Sequence, residues 1–152
     1  MQNKPRVAFV GEAMIELVPS RDGTSAQLSP AGDVLNSAVY FKRLCKETAS
    51  ARFVTVVGDD PFSGKIIETS KHEDLEVGSI RQQAGASCGL YSISTSTSGE
   101  RSFSYWRSAS AARTLFQSPD DFAALQDCDV VLITGITLAI MSAAAREGLL
   151  NW

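Results

Sequence analysis

Short apolar runs that end in glycine recur along this chain and predict buried strands. Each run is rich in β-branched or aromatic residues, which is typical of a strand covered on both faces of a sheet. The runs are residues 6–11 (RVAFVG), 53–58 (FVTVVG) and 129–135 (DVVLITG). Residues 14–18 (MIELV) continue in the same style, and the Pro, Asp-Gly and Ser residues of segment 19–25 then predict a turn.

Stretches with apolar residues at helical spacing separate these runs. The spacing predicts helices over about residues 33–46, over 138–150 and from Asp60 onward. Asp33 and Asp60 are of a residue type that caps helix amino termini, and Pro61 suits a first helical position. Strands alternating with helices predict an α/β fold with a mainly parallel sheet. A length of 152 residues favours a single domain.

Residues 88–108 lack a helical period and carry a hairpin signal instead. Two strand-like segments, 89–95 (GLYSIST) and 101–107 (RSFSYWR), flank a polar turn. A three-residue loop over 97–99 would place Gly99 at the left-handed position that such loops commonly require. We therefore predict an antiparallel ribbon.

This register pairs Tyr91 with Tyr105 and gathers polar groups on one face, because side chains alternate between the faces of a strand. The residues of that face are Tyr91, Ile93, Phe103, Tyr105 and Arg107. Phenols exchange hydrogen bonds with hydroxyls and a guanidinium binds a carboxylate through two parallel bonds, so the face suits an acid sugar. Two alternatives stay open. One is an amphipathic ribbon with packed tyrosines and a solvated arginine; the other is a two-residue Ser98-Gly99 loop, which moves Tyr91 to the opposite face.

Composition narrows the class of partner and the compartment. The net charge is −3 and the basic residues are scattered, which does not suit a nucleic-acid partner. No apolar run approaches the roughly 20 residues of a membrane span. The chain has an odd number of widely spaced cysteines, Cys45, Cys88 and Cys128, which argues against a disulfide framework and a zinc site. His72 lies in a charged stretch without a partner at metal-ligand spacing. We expect a cytoplasmic protein without signal peptide, membrane anchor or bound metal.

Five segments together resemble the PfkB, or ribokinase-like, family of carbohydrate kinases, and within it the 2-keto-3-deoxygluconate kinases. They keep the order and spacing of that family over nearly the whole chain. The segments are GEAMIEL (11–17), AGDVLNSAVYFKRL (31–44), VTVVGDDPFSGK (54–65), GLYSISTSTSGERSFSYWRSASAAR (89–113) and GITLAIMS (135–142). The resemblance implies that residues 1–152 are an incomplete ribokinase-like α/β domain, with helices flanking a mainly parallel sheet. It also implies a small β lid from segments at about 14–31 and 87–109.

The resemblance further implies which residues bind the sugar. In the family, the segment that matches AGDVLN contacts sugar hydroxyls through backbone amides and an asparagine. In the keto-deoxy-sugar-acid kinases, lid residues bind the substrate, with an arginine facing its carboxylate. The substrate-binding residues implied here are Gly32, Asp33, Val34, Leu35, Asn36, Tyr91, Tyr105, Trp106 and Arg107. A capped helix without ligand is the alternative for the first segment. Glu16 matches a position that is acidic or otherwise polar in relatives, though less consistently, and it lies either near the sugar or on a solvated part of the lid. Ala31 stands where close relatives usually have glycine.

Catalysis is expected outside residues 1–152. In the family, ATP and the phosphoryl-transfer site lie in a C-terminal half with a Gly-Ala-Gly-Asp segment whose aspartate activates the sugar hydroxyl, and no such segment occurs here. Segment 58–65 superficially suggests a phosphate loop, but five residues separate Gly58 from Gly64, and Ile66 replaces the required Ser or Thr. The resemblance therefore implies ATP and Mg²⁺ for the full-length enzyme, and neither a catalytic residue nor a cofactor in this segment.

The activity implied for the full-length enzyme is ATP-dependent phosphorylation of 2-keto-3-deoxygluconate to its 6-phosphate, with this chain supplying sugar-acid recognition. Residues 1–152 alone are expected to be inactive. The alternatives are a kinase for a neutral sugar such as fructose, in which Arg107 would meet no carboxylate, and a catalytically inactive truncated product. Family members usually dimerise through the lid, so the resemblance also implies a homodimer.

Overall fold

Two four-stranded sheets organise the chain, whose computed structural model describes residues 4–152. The strands are β1 (Arg6–Val10), β2 (Met14–Pro19), β3 (Ala26–Ala31), β4 (Ser50–Gly58), β5 (Ile80–Gln83), β6 (Gly89–Thr95), β7 (Arg101–Trp106) and β8 (Val130–Ile133). The helices are α1 (Asp33–Cys45), α2 (Pro61–His72), α3 (Pro119–Ala123), α4 (Gly135–Ile140) and α5 (Ala143–Leu150), with a 3₁₀ turn at Ala111–Thr114. Within residues 4–152, no helix is both long and apolar enough to cross a membrane.

The first sheet has the order β5-β4-β1-β8, and all its strands are parallel. Its two central strands are the first two apolar runs of the sequence, paired in register so that Phe9 lies beside Phe53 and Val10 beside Val54. All four of these side chains are buried. The prediction of a mainly parallel α/β sheet is confirmed.

Successive residues of the central strands point into two different cores. Phe9 and Phe53 pack with Leu35 of α1 and Ile66 of α2 on one face of the sheet. Ala8, Val10, Val54 and Val56 face the other core. That core is closed by buried residues of the second half of the chain, among them Leu115, Leu125 and Leu149. Because both faces are covered, the strands read as continuous apolar runs rather than as alternating ones.

The second sheet, which we call the lid, has the order β3-β2-β6-β7. β2 pairs antiparallel with β3 and parallel with β6, and β6 and β7 form the predicted antiparallel ribbon. The predicted register is confirmed, since Tyr91 pairs with Tyr105. Gly99 has a φ of 85° and its amide donates to the carbonyl oxygen of Ser96 at 3.0 Å, so the turn uses the left-handed conformation expected of that glycine.

Two predictions about helix ends are wrong. Asp33 does not cap α1 but is its first residue, and its Oδ1 accepts a hydrogen bond from the amide of Val34 at 2.8 Å. The predicted helix over 138–150 is two helices, because the chain turns at Met141 and a new helix starts after Ser142. The Ser142 hydroxyl accepts from the amide of Ala145 at 3.2 Å, which is the usual serine cap.

The cap predicted for α2 is confirmed. Oδ1 of Asp60 accepts hydrogen bonds from the amides of Phe62 and Ser63, at 2.9 and 3.1 Å. Its second oxygen, Oδ2, accepts from the Ser63 hydroxyl at 2.5 Å and from the amide of Cys88 at 3.2 Å. Asp60 therefore ties the start of α2 to the segment that enters β6.

Candidate functional site

A cleft of about 170 Å³ lies between the lid and the amino terminus of α1. Its walls come from segments that are distant in the sequence. The residues that line it are Glu12, Met14, Gly32, Asp33, Asn36, Tyr91, Phe103, Tyr105, Arg107 and Ile136. Because it gathers two phenols, a guanidinium, two carboxylates and an amide, the cleft suits a small polyhydroxylated ligand.

Gly32 brings the backbone of α1 into the cleft. Its φ of 151° and ψ of 148° fall in a region that is open almost only to glycine. A Cβ at this position would lie 2.6 Å from the carbonyl oxygen of Glu12. The backbone N–H of Asn36 donates to the carbonyl oxygen of Gly32 at 2.9 Å. The first amides of α1 lack helical acceptors and are the part of the helix suited to bind ligand oxygens.

The lid contributes a stack of aromatic rings. The ring centroids of Tyr91 and Tyr105 are 5.7 Å apart, and those of Phe103 and Tyr105 are 6.3 Å apart. The hydroxyl of Tyr91 donates to Oε2 of Glu16 at 2.5 Å. Burial and the neighbouring Glu16 carboxylate raise the pKa of Tyr91 above its ordinary value, so the phenol keeps the proton that it donates to Glu16, and its oxygen can accept a hydrogen bond from a ligand hydroxyl.

Arg107 enters the cleft at the end of β7 and forms an ion pair with Glu12. The Glu12 side chain is only 2% exposed and that of Arg107 is 22% exposed. Oε1 of Glu12 also accepts a hydrogen bond from the hydroxyl of Ser110 at 2.5 Å. Burial raises the pKa of the Glu12 carboxyl, and the hydrogen bond from Ser110 and the charge of Arg107 act in the opposite direction.

Gly89 makes room for this pair at the start of β6. A Cβ there would lie 2.9 Å from Oε1 of Glu12 and 3.2 Å from Cβ of Arg107. Any larger residue would therefore press on both members of the pair. Glycine at position 89 therefore leaves the space that the Glu12–Arg107 ion pair needs beside the lid.

The floor of the cleft is fixed to the parallel sheet. The hydroxyl of Thr137 in α4 donates to the carbonyl oxygen of Val10 at 3.0 Å. A Cβ on Gly11 would lie 2.5 Å from that hydroxyl oxygen and 2.7 Å from Cγ2 of Val34. β1, α1 and α4 therefore meet at Gly11, and the next residue along the chain after Gly11 is Glu12.

Six of the nine residues predicted to bind substrate line the cleft, and three have side chains elsewhere. The six are Gly32, Asp33, Asn36, Tyr91, Tyr105 and Arg107. Val34 and Leu35 are 0% and 2% exposed and belong to the core under α1, so their side chains do not line the cleft. Trp106 pairs with Leu90 and is 60% exposed, and the alternation of side chains turns it away from the face of Tyr105.

Sequence reasoning missed Glu12 as a site residue. One signal pointed to it: Glu12 is an acidic residue directly after a buried strand and its terminal glycine, and side chains at the carboxyl ends of parallel strands commonly line sites. Met14 and Ile136 carried no such signal, because isolated apolar residues are ordinary core residues.

ATP does not fit the described residues near the start of α2. A phosphate needs free amide hydrogens, yet the amide of Gly58 donates to the hydroxyl of Ser63 at 2.8 Å, and the carboxylate of Asp60 occupies the first amides of α2. That carboxylate would also repel a phosphate. Between residues 4 and 152, no group of three or more His, Cys, Asp or Glu side chains could hold a metal ion.

Comparison with known proteins agrees with the fold. The pfkB family carbohydrate kinase model matches residues 4–151. The chain belongs to this family. The structure is also similar to that of an uncharacterised sugar kinase from Pyrococcus horikoshii in complex with ATP, with a TM-score of 0.76 at 20% identity over 95% of this chain and 47% of that one.

Curated relatives are kinases of two kinds of sugar. A 2-dehydro-3-deoxygluconokinase from Dickeya dadantii is 38% identical over 95% of this chain and 47% of its own length. A fructokinase from Klebsiella pneumoniae is 30% identical over 94% of this chain and 48% of its own length. The chain spans about half the length of the curated relatives it matches.

Proposed function

We propose that this chain is the sugar-binding part of a kinase that phosphorylates 2-keto-3-deoxygluconate on its terminal hydroxyl. The observation that carries the proposal is the convergence of Arg107, two phenols and the amino terminus of α1 on one small cleft. A guanidinium is the side chain best suited to a carboxylate. The relative from Dickeya dadantii, named for the same sugar acid under its synonym 2-dehydro-3-deoxygluconate, supports this choice.

The described residues would hold the sugar rather than transfer the phosphoryl group. Asp33 and Asn36 face the cleft from α1 and offer acceptors and donors to hydroxyls. Tyr91 and Tyr105 would cover the ligand and exclude water. These groups align the terminal hydroxyl, and alignment is a large part of catalysis in phosphoryl transfer.

ATP and Mg²⁺ belong to the proposed activity of the longer protein. ATP supplies the phosphoryl group that passes to the sugar oxygen, while the hydroxyl proton goes to a base and ADP leaves. The start of α2 does not fit a phosphate, and the family resemblance assigns ATP to a C-terminal half, so residues 1–152 alone are expected to bind sugar without turning it over. A substrate-dependent ADP-release assay on the chain tests this, and ADP release would contradict it.

A second candidate is a kinase for a neutral sugar. The ion pair with Glu12 already compensates the charge of Arg107, which weakens the argument for an anionic ligand. The fructokinase relative from Klebsiella pneumoniae is consistent with this alternative. The two candidates differ in whether a carboxylate on the ligand improves binding.

Isothermal titration calorimetry separates the two candidates. The chain is titrated without ATP with 2-keto-3-deoxygluconate, with fructose and with gluconate, which keeps the carboxylate but lacks the keto group. We expect the keto-deoxy acid to bind at least tenfold more tightly than fructose, about 1.4 kcal/mol. Equal or tighter binding of fructose would contradict the proposed substrate and favour the neutral-sugar kinase.

We also propose that the lid is a dimer interface. Every residue of β7 is exposed, and the side chains include Phe103 at 48% and Trp106 at 60%. Exposed aromatic residues on an edge strand favour association. Light scattering after gel filtration should give twice the monomer mass for the native chain and the monomer mass for Trp106→Ser. A native monomer would contradict this.

Cytoplasmic location and the lack of a nucleic-acid partner remain predictions.

A further inference from the structure

Glu12 is a buried carboxylate that lines the cleft and is already paired with the guanidinium of Arg107. One oxygen accepts from the hydroxyl of Ser110, and the other forms the ion pair with Arg107. The residue as a whole is 3% exposed. A carboxylate removed from water to this extent is costly unless it stays paired. The free cleft therefore holds an internal counter-ion for the guanidinium that the proposed substrate would use.

A ligand carboxylate and Glu12 would compete for the same guanidinium. Arg107 lines the cleft with 22% of its side chain exposed, so an incoming anion reaches it from the open side while Glu12 contacts it from the buried side. Two carboxylates that share one cation in a site shielded from water repel each other strongly, and one of them then gains a proton. The ligand carboxyl belongs to a stronger acid than a buried glutamic acid, so Glu12 is the group that gains it.

We propose that a sugar acid displaces Glu12 from Arg107 when it binds, and that Glu12 takes up one proton from the solvent in the same step. This inference rests on the proposed acid substrate. The balance is simple, because the Glu12 carboxylate and a proton from the buffer become a neutral carboxyl group, and no other bond changes. Glu12 is thus a positioning and specificity residue. It holds Arg107 in place before the ligand arrives, and its own negative charge makes binding of the ligand carboxylate less favourable unless Glu12 is protonated.

The other charged groups around Glu12 fit this exchange. Arg113, on the 3₁₀ turn, is the second cation that favours the ionised form of Glu12. Asp33 lines the same cleft from α1 and adds negative charge, and Tyr91 and Tyr105 line it from the lid. Cys88, before β6, has its pKa raised to about 11 by burial and by Asp60, so it is neutral near pH 7. Burial raises the pKa of the Glu12 carboxyl, in line with its uptake of the proton.

The test is calorimetry of the chain with 2-keto-3-deoxygluconate in two buffers, MES and imidazole, at about pH 6.5. The dependence of the binding enthalpy on the ionisation enthalpy of the buffer counts the protons taken up. We expect net uptake of up to one proton per ligand in the native chain. Glu12→Gln should bind the acid without uptake. The matched control Glu68→Gln, an exposed carboxylate on α2, should keep the uptake of the native chain. Fructose should bind without uptake to all three.

The outcomes separate this inference from the proposed function. Binding of the acid without proton uptake by the native chain overturns the inference and leaves the acid substrate in place. Uptake that persists in Glu12→Gln assigns the proton to another group and also overturns it. Binding of fructose but not of the acid overturns the proposed substrate and the inference together. Ser110→Ala provides a second variant if Glu12→Gln does not fold: losing the hydrogen bond to the carboxylate should move proton uptake to higher pH, and an unchanged pH dependence counts against Glu12.

Discussion

Tyr91 and Tyr105 lie directly opposite each other in the lid ribbon with their rings stacked, and the hydroxyl of Tyr91 is held by Glu16. The stacking fixes the position of the ring, whereas the hydrogen bond fixes the direction of the hydroxyl group. These two effects can be separated by mutation, because phenylalanine keeps the ring and removes the hydroxyl.

Tyr91→Phe is expected to leave the fold intact and weaken sugar binding about tenfold, the equivalent of one good hydrogen bond. The stability of the chain should fall by about 1 kcal/mol or less, because Tyr91 is half-buried. Calorimetry and thermal melting measure the two effects. The matched control is Tyr40→Phe on α1, whose side chain is 64% exposed, and it should change neither. Unaltered sugar affinity in Tyr91→Phe would remove this tyrosine from the site.

Arg107→Ala is expected to abolish the preference for acid sugars over fructose. It also leaves Glu12 buried without its ion-pair partner, which should destabilise the chain by about 2 kcal/mol, less than a fully buried pair would cost because Arg107 is partly exposed. The pKa of Glu12, already raised by burial, should rise further. A carboxyl whose pKa is raised in the folded state lowers stability as pH rises from its unfolded-state pKa toward the raised folded-state pKa, so the melting temperature of the variant should fall, relative to that of the native chain, as pH increases above about 4.

Arg101→Ala is the matched control for Arg107→Ala. Arg101 begins the same strand and is exposed at the turn end of the ribbon. Its removal should change neither the preference between sugars nor the pH dependence of melting. The double variant Arg107→Ala/Glu12→Gln should recover much of the stability lost in Arg107→Ala, because no charge is then left unpaired. A double variant as unstable as the sum of its parts would show that the ion pair is not the cause.

Gly32→Ala is expected to destabilise the chain by about 3 kcal/mol and to displace the start of α1. The reasons are the backbone conformation and the close approach of the carbonyl oxygen of Glu12. Gly64→Ala is the opposite case, because Gly64 lies inside α2 and a Cβ there would meet nothing within 4 Å. That control should gain about 0.5–1 kcal/mol. Denaturant melts measure both changes, and equal stabilities of the two variants would contradict the geometry of Gly32.

Asp60→Asn is expected to cost about 1–2 kcal/mol at neutral pH, because an amide nitrogen cannot accept the hydrogen bonds that Oδ2 receives from Ser63 and Cys88. Burial acts to raise the pKa of Asp60, but these hydrogen bonds outweigh it and the pKa lies below its ordinary value. The stabilisation is therefore present above about pH 4 and is lost as pH falls through the lowered pKa. The difference between variant and native chain should shrink below about pH 4.

The matched control for Asp60→Asn is Asp74→Asn. Asp74 is exposed and has a φ of 56°, a conformation that asparagine also tolerates. This variant should melt like the native chain at every pH. A difference between Asp60→Asn and the native chain that stays constant down to about pH 2 would refute the assigned role of the carboxylate.

The parts of the fold that sequence could predict are those fixed by local chemistry. The lid ribbon was predictable because Gly99 selects the loop and the loop sets the register of Tyr91 with Tyr105. The cap of α2 was predictable because Asp60 and Pro61 are adjacent. Strand β5, Ile80–Gln83, was not, because it holds a single apolar residue and is an edge strand formed by pairing with β4.

The parts of the site that sequence alone could not give depend on contacts between distant segments. The antiparallel ribbon places the end of β7, and with it Arg107, beside the start of β6. Glu12 meets Arg107 only because β2 also pairs in parallel with β6, which brings the starts of these two strands together. No local pattern specifies this pairing. The family resemblance supplied Arg107 as a ligand for the substrate, but it carried no information about the carboxylate that pairs with the arginine.

The packing around Gly11 has a consequence for how the two sides of the cleft move. The start of α1 is locked against β1 and α4 there, whereas every residue of β7 is exposed. Backbone amides in α1 should therefore exchange their hydrogens slowly and those of the edge strand β7 quickly. A bound sugar would leave the cleft when β7 moves away from it, so its residence time would report the opening rate of β7 and would be nearly independent of the stability of the parallel sheet.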